Sequence, residues 1–394
     1  MKFKSVISIN TYLSIIIILI IFGIYLSFIG GYGSDEDTLP MIYVFERRLF
    51  DGAFVSSRFT SYPIPEIGIG FLAYYLGSWA TNLATFFFHI IGLILIYFSL
   101  EKKYELERLY LFLILGLSSP VLFFDNLEPI DYSWAFFFFS LGLFFYKKKF
   151  FELAILMFAF SVGCRLNFII FVMLSIMFFK HSIDIGRNKK IILCICTFVI
   201  SGLFYLPVWF DNSFSLNWIS AARPTDQGFI GLLARFSYKT WLAIGIIQFF
   251  ILIIYFYKIF NLKKQVVVTN FLNILIVANL FLFLYIPAEI SYLQPAIIFV
   301  YLILIFNYYK NLILIIILLN FLNWAIDIKF IKFNYVDNSK CAAKNAISAS
   351  FDPKITKGAI YNYLETRKNI NCWINDKTER GKRILKGQST RINK

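Results

Sequence analysis

Three consecutive acidic residues, Asp35, Glu36 and Asp37, follow the first long apolar run of this chain. Carboxylates at the edge of an apolar layer are costly unless water, a metal ion or a reaction uses them. Crowding of like charges and partial burial both increase the affinity of a carboxylate for a proton. A carboxylate of this kind suits the role of a general base that takes a proton from a hydroxyl. The simpler alternative is a solvated start to a loop.

A second acidic group, formed by Asp125, Glu128 and Asp131, lies further along the chain between two apolar runs. Helical spacing would place Glu128 and Asp131 on one face, where two carboxylates can act on the same ligand. The alternatives are a polar turn, or an Asp131 that caps the next helix.

Arginines supply the opposite charge. Arg165 lies between two apolar runs, where an ionisable side chain is a functional candidate by default. A guanidinium binds a phosphate through two parallel hydrogen bonds, so a phosphate group is the expected partner. Arg58, Arg223 and Arg235 are further phosphate candidates. Snorkelling and contact with lipid headgroups are the alternatives for each of them.

The composition of the chain indicates that these charged residues belong to a membrane protein. The chain has 394 residues, of which 59% are hydrophobic and 20% aromatic. A soluble domain averages about 45–50% apolar residues, so we expect an all-α polytopic membrane protein. Apolar runs near the length of a bilayer crossing predict about eleven transmembrane helices. The predicted spans are 8–30, 80–100, 109–124, 131–146, 150–164, 166–180, 190–209, 241–259, 266–286, 293–309 and 311–327.

The distribution of charge gives an orientation. Lys and Arg concentrate in one alternate set of short loops, which places the N-terminus in the cytoplasm and the C-terminal tail outside. The formal net charge of +15 is then explained by topology and by contact with anionic membrane lipids, without a nucleic-acid partner. The prediction is therefore a multi-pass protein with a membrane module over 1–327 and a small extramembrane tail over 328–394.

Cysteine and histidine usage narrows the chemistry. Cys341 and Cys372 lie in the tail, and an external tail would favour a disulfide between them. The chain has no CxxC motif, and its two histidines are His89 and His181. This usage argues against a histidine-based metal centre and against a Ser/His catalytic pair.

The first external loop has an ordered pattern. Two amphipathic or apolar helices, over about 39–51 and 66–77, are expected to lie along the membrane surface. Gly52 and the sequence Pro63-Ile64-Pro65-Glu66 separate them. With the acidic cluster in front, this order resembles the first external loop of the GT-C superfamily of integral-membrane glycosyltransferases. The resemblance covers roughly residues 1–310 and extends to Asp125–Asp131 and to Tyr292-Leu293-Gln294-Pro295.

The resemblance implies a function. GT-C enzymes transfer a sugar from a polyprenyl- or dolichyl-phosphate donor, and some of them use a divalent cation. It implies a base among Asp35, Glu36 and Asp37 without saying which of them it is; we take Asp37 as first choice and Asp35 as second. The donor phosphate is the expected ligand of the arginines. Sugar or acceptor binding would then fall to Glu66, Asp125, Glu128, Asp131, Tyr292 and Gln294. The tail resembles that of phage-type serotype-converting O-antigen glucosyltransferases, which implies a lipid-linked glycan acceptor at the periplasmic face of a bacterial inner membrane.

Two other functions fit the same composition. An O-antigen polymerase also has many spans, but it would depend on large arginine-rich loops in the middle and later chain. A transporter or flippase of lipid-linked glycans would show inverted repeats and helices broken by Gly or Pro. The sequence gives no sign of a repeat or of a buried charge pair at mid-span, which favours the glycosyltransferase.

Overall fold

The computed structural model describes residues 9–32, 40–41, 44–45, 48–49, 56–57, 61–101, 105–179, 185–211, 229–260, 267–287, 289–307, 309–335 and 346–366. Fifteen helices and one β-hairpin account for most of these residues. The helices are α1 Ile9–Ile29, α2 Pro63–Leu76, α3 Ser78–Leu100, α4 Leu106–Ser118, α5 Pro120–Phe124, α6 Asp131–Lys147, α7 Phe151–Cys164, α8 Phe168–Phe178, α9 Arg187–Asp211, α10 Phe229–Ile244, α11 Ile246–Phe260, α12 Val267–Tyr285, α13 Gln294–Phe306, α14 Lys310–Ala325 and α15 Ala359–Thr366. Short 3₁₀ turns occupy Asp125–Leu127 and Ile290–Leu293.

Several of these helices are long and apolar enough to cross a membrane. Within the described residues, four pass this test alone, namely α1, α3, α9 and α12. The number rises to six if the bent pairs α4–α5 and α10–α11 each count as one span. Helices lie at every predicted span, but several are short, and the expected count of about eleven is not confirmed. Helix α10 lies mostly where a loop was predicted.

Glycines let the central helices approach each other closely. Helix α3 packs against α6, and α6 packs against α7. A Cβ added at Gly142 would lie 2.5 Å from the ring of Phe158, and one at Gly116 would lie 2.6 Å from Leu93. Small residues at such contacts allow van der Waals packing, which drives helix association where lipid removes the hydrophobic gain.

The bundle has two chemically different ends. At the lysine end, Lys147 at the end of α6 donates hydrogen bonds to the carbonyls of Phe98 and Glu101. Lys310 at the start of α14 pairs there with Glu107 at 2.6 Å. At the opposite end, which we call the tyrosine end, α6 and α8 begin and α7 finishes, beside the turn at Ile290–Leu293.

Two sharp breaks interrupt the helices near the tyrosine end. Helices α4 and α5 meet at 81° around Ser119, and α10 and α11 meet at 98° around Gly245. Gly245 has a φ of +86°, a conformation that favours glycine. Side-chain hydrogen bonds from α14 support the first break: Asn320 donates to the Ser118 hydroxyl at 3.0 Å, and the indole of Trp324 donates to the Ser118 carbonyl at 2.6 Å. Broken helices, which the sequence analysis named as a feature of transporters, therefore occur at these two places.

A β-hairpin follows α14. The sequence analysis did not predict this hairpin. Strands β1, Ile326–Tyr335, and β2, Ala346–Lys357, pair in antiparallel register. The Gly358 N–H donates to the Ala325 carbonyl at 2.9 Å, and this bond ties the hairpin to the end of α14. Strand β2 continues through Lys357, and α15 begins at Ala359.

The described parts of the first long loop are mostly helical. The described residues among 40–49 have helical conformation, and α2 covers most of the second predicted helix. A Cβ at Gly70 of α2 would lie 2.3 Å from Phe45, so the two segments pack directly on each other. Gly52 lies outside the described residues.

Candidate functional site

Arg165 is a deeply buried cation at the tyrosine end. It directly follows α7, and its side chain is 2% exposed. Its Nη1 lies 3.2 Å from Oδ2 of Asp131, the first residue of α6, whose side chain is 1% exposed. A buried charge requires such a partner, because removal from water costs several kcal/mol per ion. The two predicted site residues therefore form an ion pair inside the protein.

Three tyrosine rings enclose the Arg165 guanidinium. Its carbon lies 3.4 Å from the ring centre of Tyr132, 4.6 Å from that of Tyr292 and 5.2 Å from that of Tyr62. A cation over an aromatic face is stabilised by the ring quadrupole, and more strongly where water is excluded. We call Arg165, Asp131 and these three tyrosines the arginine cage. It joins α6, the α7–α8 turn, the start of α2 and the 3₁₀ turn at Ile290–Leu293.

The arginine cage connects to a second group of charges. The Tyr132 hydroxyl donates to Oε2 of Glu289 at 2.8 Å. Lys239 on α10 lies within electrostatic range of Glu289. Arg235, one turn earlier on α10, also lies within electrostatic range of Lys239. Both cations are half-buried. Their proximity makes this part of α10 an attractive place for an anion.

Asp125 and Glu128 lie on the far side of the same turn. Oδ2 of Asp125 accepts hydrogen bonds from Ser291 at 2.8 Å and from Gln294 at 3.4 Å. Glu128 is 8% exposed. Both carboxylates line a cavity of about 400 Å³, which we call the hairpin cavity because β1 and α15 form one of its walls. This cavity could take a small polar ligand.

Glu66 has a different environment. It is fully buried at the start of α2 and accepts five hydrogen bonds from described residues. The donors are the Arg48 guanidinium, the Ser57 amide and hydroxyl, the Ser61 hydroxyl and the Tyr62 amide. With its oxygens engaged in this way, Glu66 acts as the centre of the folded loop and directs Tyr62 towards Arg165.

The structure brings together most of the described residues that the sequence analysis selected. Arg165, Asp131 and Tyr292 belong to the arginine cage, and Gln294, Asp125 and Glu128 adjoin it. Arg235 lies beside Lys239 on α10. The remaining predictions fall outside the described residues: Asp35, Glu36, Asp37, Arg58, Arg223, Cys341 and Cys372.

Sequence reasoning missed four residues of this region: Tyr62, Tyr132, Glu289 and Lys239. Two signals were available, because Tyr132 directly follows Asp131, and Glu289 lies three residues before Tyr292. Tyr62 and Lys239 gave no such signal. Their positions near Arg165 and Glu289 depend on how the helices pack.

A metal-binding arrangement is not formed by the described part of the chain. No three His, Cys, Asp or Glu side chains within it gather as ligands for an ion. The divalent cation that the GT-C resemblance admits therefore has no described ligand set, and no chemical step below depends on one.

A second, apolar cavity of about 320 Å³ shares Ile244 of α10 with the hairpin cavity as a lining residue. It is lined by side chains of α10 to α13, among them Thr240, Ile244, Leu280, Leu293 and Ile297. Thr240 is next to Lys239 in the chain, and Leu293 is next to Tyr292, so apolar and charged surfaces meet here.

The hairpin cavity, the charges of α10 and the apolar cavity thus adjoin one another at the tyrosine end. No protein-family model matches this chain, and no significant match was found among the curated proteins or among the solved structures.

Proposed function

We propose that this protein is a membrane glycosyltransferase that moves a sugar from a polyprenyl-phosphate donor to a lipid-linked glycan. The acceptor is of the O-antigen or lipid A type, and the reaction takes place at the periplasmic face of a bacterial inner membrane. The tyrosine end is then the external end, in agreement with the positive-inside rule, since Lys147 and Lys310 lie at the other end.

One observation carries this proposal. An apolar cavity, a pair of cations and a cavity partly lined by carboxylates adjoin the same helix, α10, within residues 235–244. A polyprenyl-phosphate sugar has three corresponding parts, namely an apolar chain, an anionic phosphate and a polar ring. The match between three surfaces and three parts supports a lipid-phosphate sugar over a soluble substrate.

The reaction needs a base and a stabilised leaving group. A carboxylate of Asp35–Asp37, with Asp37 as first choice, takes the proton from an acceptor hydroxyl. The hydroxyl oxygen forms a bond to the anomeric carbon, while the bond from that carbon to the phosphate oxygen breaks. The polyprenyl phosphate leaves with the electron pair, and the anomeric configuration inverts.

The cations of α10 neutralise the departing phosphate. Arg235 and Lys239 have the required charge and are half-buried, so water screens them only partly. Arg165 has a positioning role in this scheme, because Asp131 already neutralises it inside the arginine cage. It holds Tyr132 and Tyr292 in place, and Tyr132 in turn orients Glu289.

A transfer assay tests the proposal. Purified protein in nanodiscs is given a labelled polyprenyl-phosphate hexose and a polyprenyl-diphosphate oligosaccharide, and the labelled product is measured. We expect transfer by the wild type and a loss of at least 100-fold in kcat for Asp37→Asn or Asp35→Asn. Transfer that persists in both variants would remove the proposed base.

The phosphate assignment has its own matched control. Lys239→Gln should raise KM for the donor about tenfold or more, because a charge-assisted contact to phosphate is lost. Lys190→Gln removes the same charge at the lysine end, where Lys190 donates to the Met177 carbonyl, and should leave KM unchanged. Equal effects of the two variants would contradict a local role for Lys239.

A flippase of lipid-linked glycans is the second candidate, and the helix breaks at Ser119 and Gly245 favour it. Broken helices that line a cavity are typical of transporters. Reconstituted liposomes that contain a fluorescent polyprenyl-phosphate hexose distinguish the two functions. Movement of the lipid between leaflets without transfer of sugar would favour the flippase, whereas transfer without movement supports the glycosyltransferase.

A further inference from the structure

The hairpin cavity has a wall that the sequence analysis treated as part of a separate tail. Asp327 and Lys329 of β1 and Asn362 and Tyr363 of α15 face the same space as Asp125 and Glu128. The Tyr363 ring packs on Phe124 of α5, with centroids 5.4 Å apart. The C-terminal hairpin is therefore part of the cavity.

Glycine fixes the position of this wall. A Cβ at Gly358 would lie 2.5 Å from backbone atoms of Trp324, Ala325 and Ile326. Because backbone atoms cannot move aside as a flexible side chain can, only glycine allows the chain to return to α14 at this point. The return places α15 over the cavity.

The polar groups of the cavity suit a carbohydrate. Carboxylates accept hydrogen bonds from ligand hydroxyls, and the side-chain amides of Asn323 and Asn362 both donate and accept. Trp241 and Tyr238, from α10, add aromatic surface. Asp125 is oriented in advance by Ser291 and Gln294, so it need not reorganise when a ligand binds.

The charge of the cavity is its selective feature. Among the described residues that line it, Asp125, Glu128 and Asp327 carry carboxylates and Lys329 carries an ammonium group. Lys329 lies 3.8 Å from Asp327, so its charge is largely offset by that neighbour. Asp125, whose hydrogen-bond donors Ser291 and Gln294 are uncharged, then repels an anionic ligand at short range in partly buried surroundings, where screening by water is weak.

We propose that the hairpin cavity binds the donor sugar and selects neutral or amino sugars over uronic acids. This inference rests on the proposed function for the identity of the donor. Helix α10 supports the donor assignment, because Tyr238 and Trp241 face the cavity while the intervening Lys239 lies by Glu289. The phosphate and the ring of one donor can then contact the same turn of α10.

Binding and transfer are measured separately to test this selectivity. Full-length protein in nanodiscs is given labelled polyprenyl-phosphate hexose, the corresponding hexosamine with a free amine, and the corresponding hexuronic acid. Binding is measured without acceptor, so the charge preference is read even where no transfer occurs. We expect the hexose and the hexosamine to bind at least tenfold more tightly than the hexuronic acid.

Two variants link the preference to the cavity. Glu128→Gln and Asp327→Asn should each reduce the discrimination against the hexuronic acid about threefold or more. Asp352→Asn is the matched control, because Asp352 lies on the same hairpin outside the cavity lining and pairs with Lys354. It should leave the discrimination unchanged.

Each outcome bears on one proposal. Charge-selective binding without transfer would overturn the proposed glycosyltransferase and retain the cavity assignment. Equal binding of all three lipids by the wild type would overturn the cavity assignment, as would an unchanged preference in folded Glu128→Gln and Asp327→Asn proteins. Transfer with equal use of the three donors would overturn the selectivity and retain the transferase.

Discussion

Two arginine–carboxylate pairs at the tyrosine end differ in how far apart their members lie in the chain. Arg48 and Glu66 are 18 residues apart, and every described partner of Glu66 lies in the same loop. Asp131 begins α6, whereas Arg165 lies in the turn after α7. The first pair therefore organises a local segment, whereas the second exists only where the bundle is assembled.

The difference has an energetic consequence. Hydrogen bonds from the loop itself neutralise Glu66, so its stabilisation is lost when that loop opens. Arg165 depends on one carboxylate and on tyrosine rings from three segments. A buried ion pair contributes little net stability over an apolar pair, but loss of one member leaves an uncompensated charge. Four substitutions test this difference between the two pairs.

The largest effect is expected for Asp131→Asn. It leaves the Arg165 guanidinium buried without its counter-charge, and we expect a loss of about 3–5 kcal/mol in the free energy of unfolding. Thermal unfolding in detergent measures it. The double variant Asp131→Leu/Arg165→Met should recover most of the loss. A single variant within about 1 kcal/mol of the wild type would contradict the buried pair.

Glu66→Gln should have a smaller and local effect of about 2–3 kcal/mol, since charge-assisted hydrogen bonds to the loop are weakened. Hydrogen exchange should accelerate at the amides of Ser57 and Tyr62, while α6 and α7 stay protected. The exposed Glu365 provides the control, and Glu365→Gln should change neither stability nor exchange. Faster exchange throughout the bundle would show that Glu66 is not confined to its loop.

Tyr132→Phe removes a hydroxyl and keeps the ring over Arg165. We expect a loss of about 1–2 kcal/mol, because Glu289 loses one hydrogen bond while the cation–ring contact remains. Unfolding in the same detergent gives the value. Tyr361→Phe makes the same chemical change at a position that is 38% exposed and should be neutral. A loss as large as that of Asp131→Asn would mean that the ring has moved.

The smallest effect is expected at an exposed ion pair. Lys354 and Asp352 lie 4.0 Å apart, with side chains that are 49% and 45% exposed. Lys354→Met should change the free energy of unfolding by less than about 0.5 kcal/mol, because solvent and salt screen the pair. If Lys354→Met changes the free energy of unfolding by more than about 1 kcal/mol, or if the change does not become smaller in salt, then burial does not explain the order of the four effects.

The sequence predicted the helices better than their geometry. Apolar runs marked the helices because each must satisfy its own backbone in lipid. They did not reveal the bends at Ser119 and Gly245, since glycine, serine and proline occur in straight membrane helices as well. The hairpin after Ala325 was missed because a paired strand depends on a partner some twenty residues away.

Among the site residues, the sequence analysis selected those whose charge is energetically costly next to an apolar run. Arg165, Asp131, Asp125 and Glu128 lie next to apolar runs, where ionisable groups need a reason. It could not select Tyr62 or Lys239, because an aromatic ring or a lysine is common at the end of a span. The proximity of these two residues to the other charges is a property of helix packing.

By itself, then, the sequence determined a helical chain with long apolar runs and acidic and arginine residues near their ends. The length and composition of each run are local properties, and local chemistry fixes them. Only the tertiary structure decided that Arg165 pairs with Asp131 inside three tyrosine rings, and that the C-terminal hairpin closes a cavity over Asp125 and Glu128. Such contacts join residues that are distant in the chain, so they form only when the packed helices bring them together.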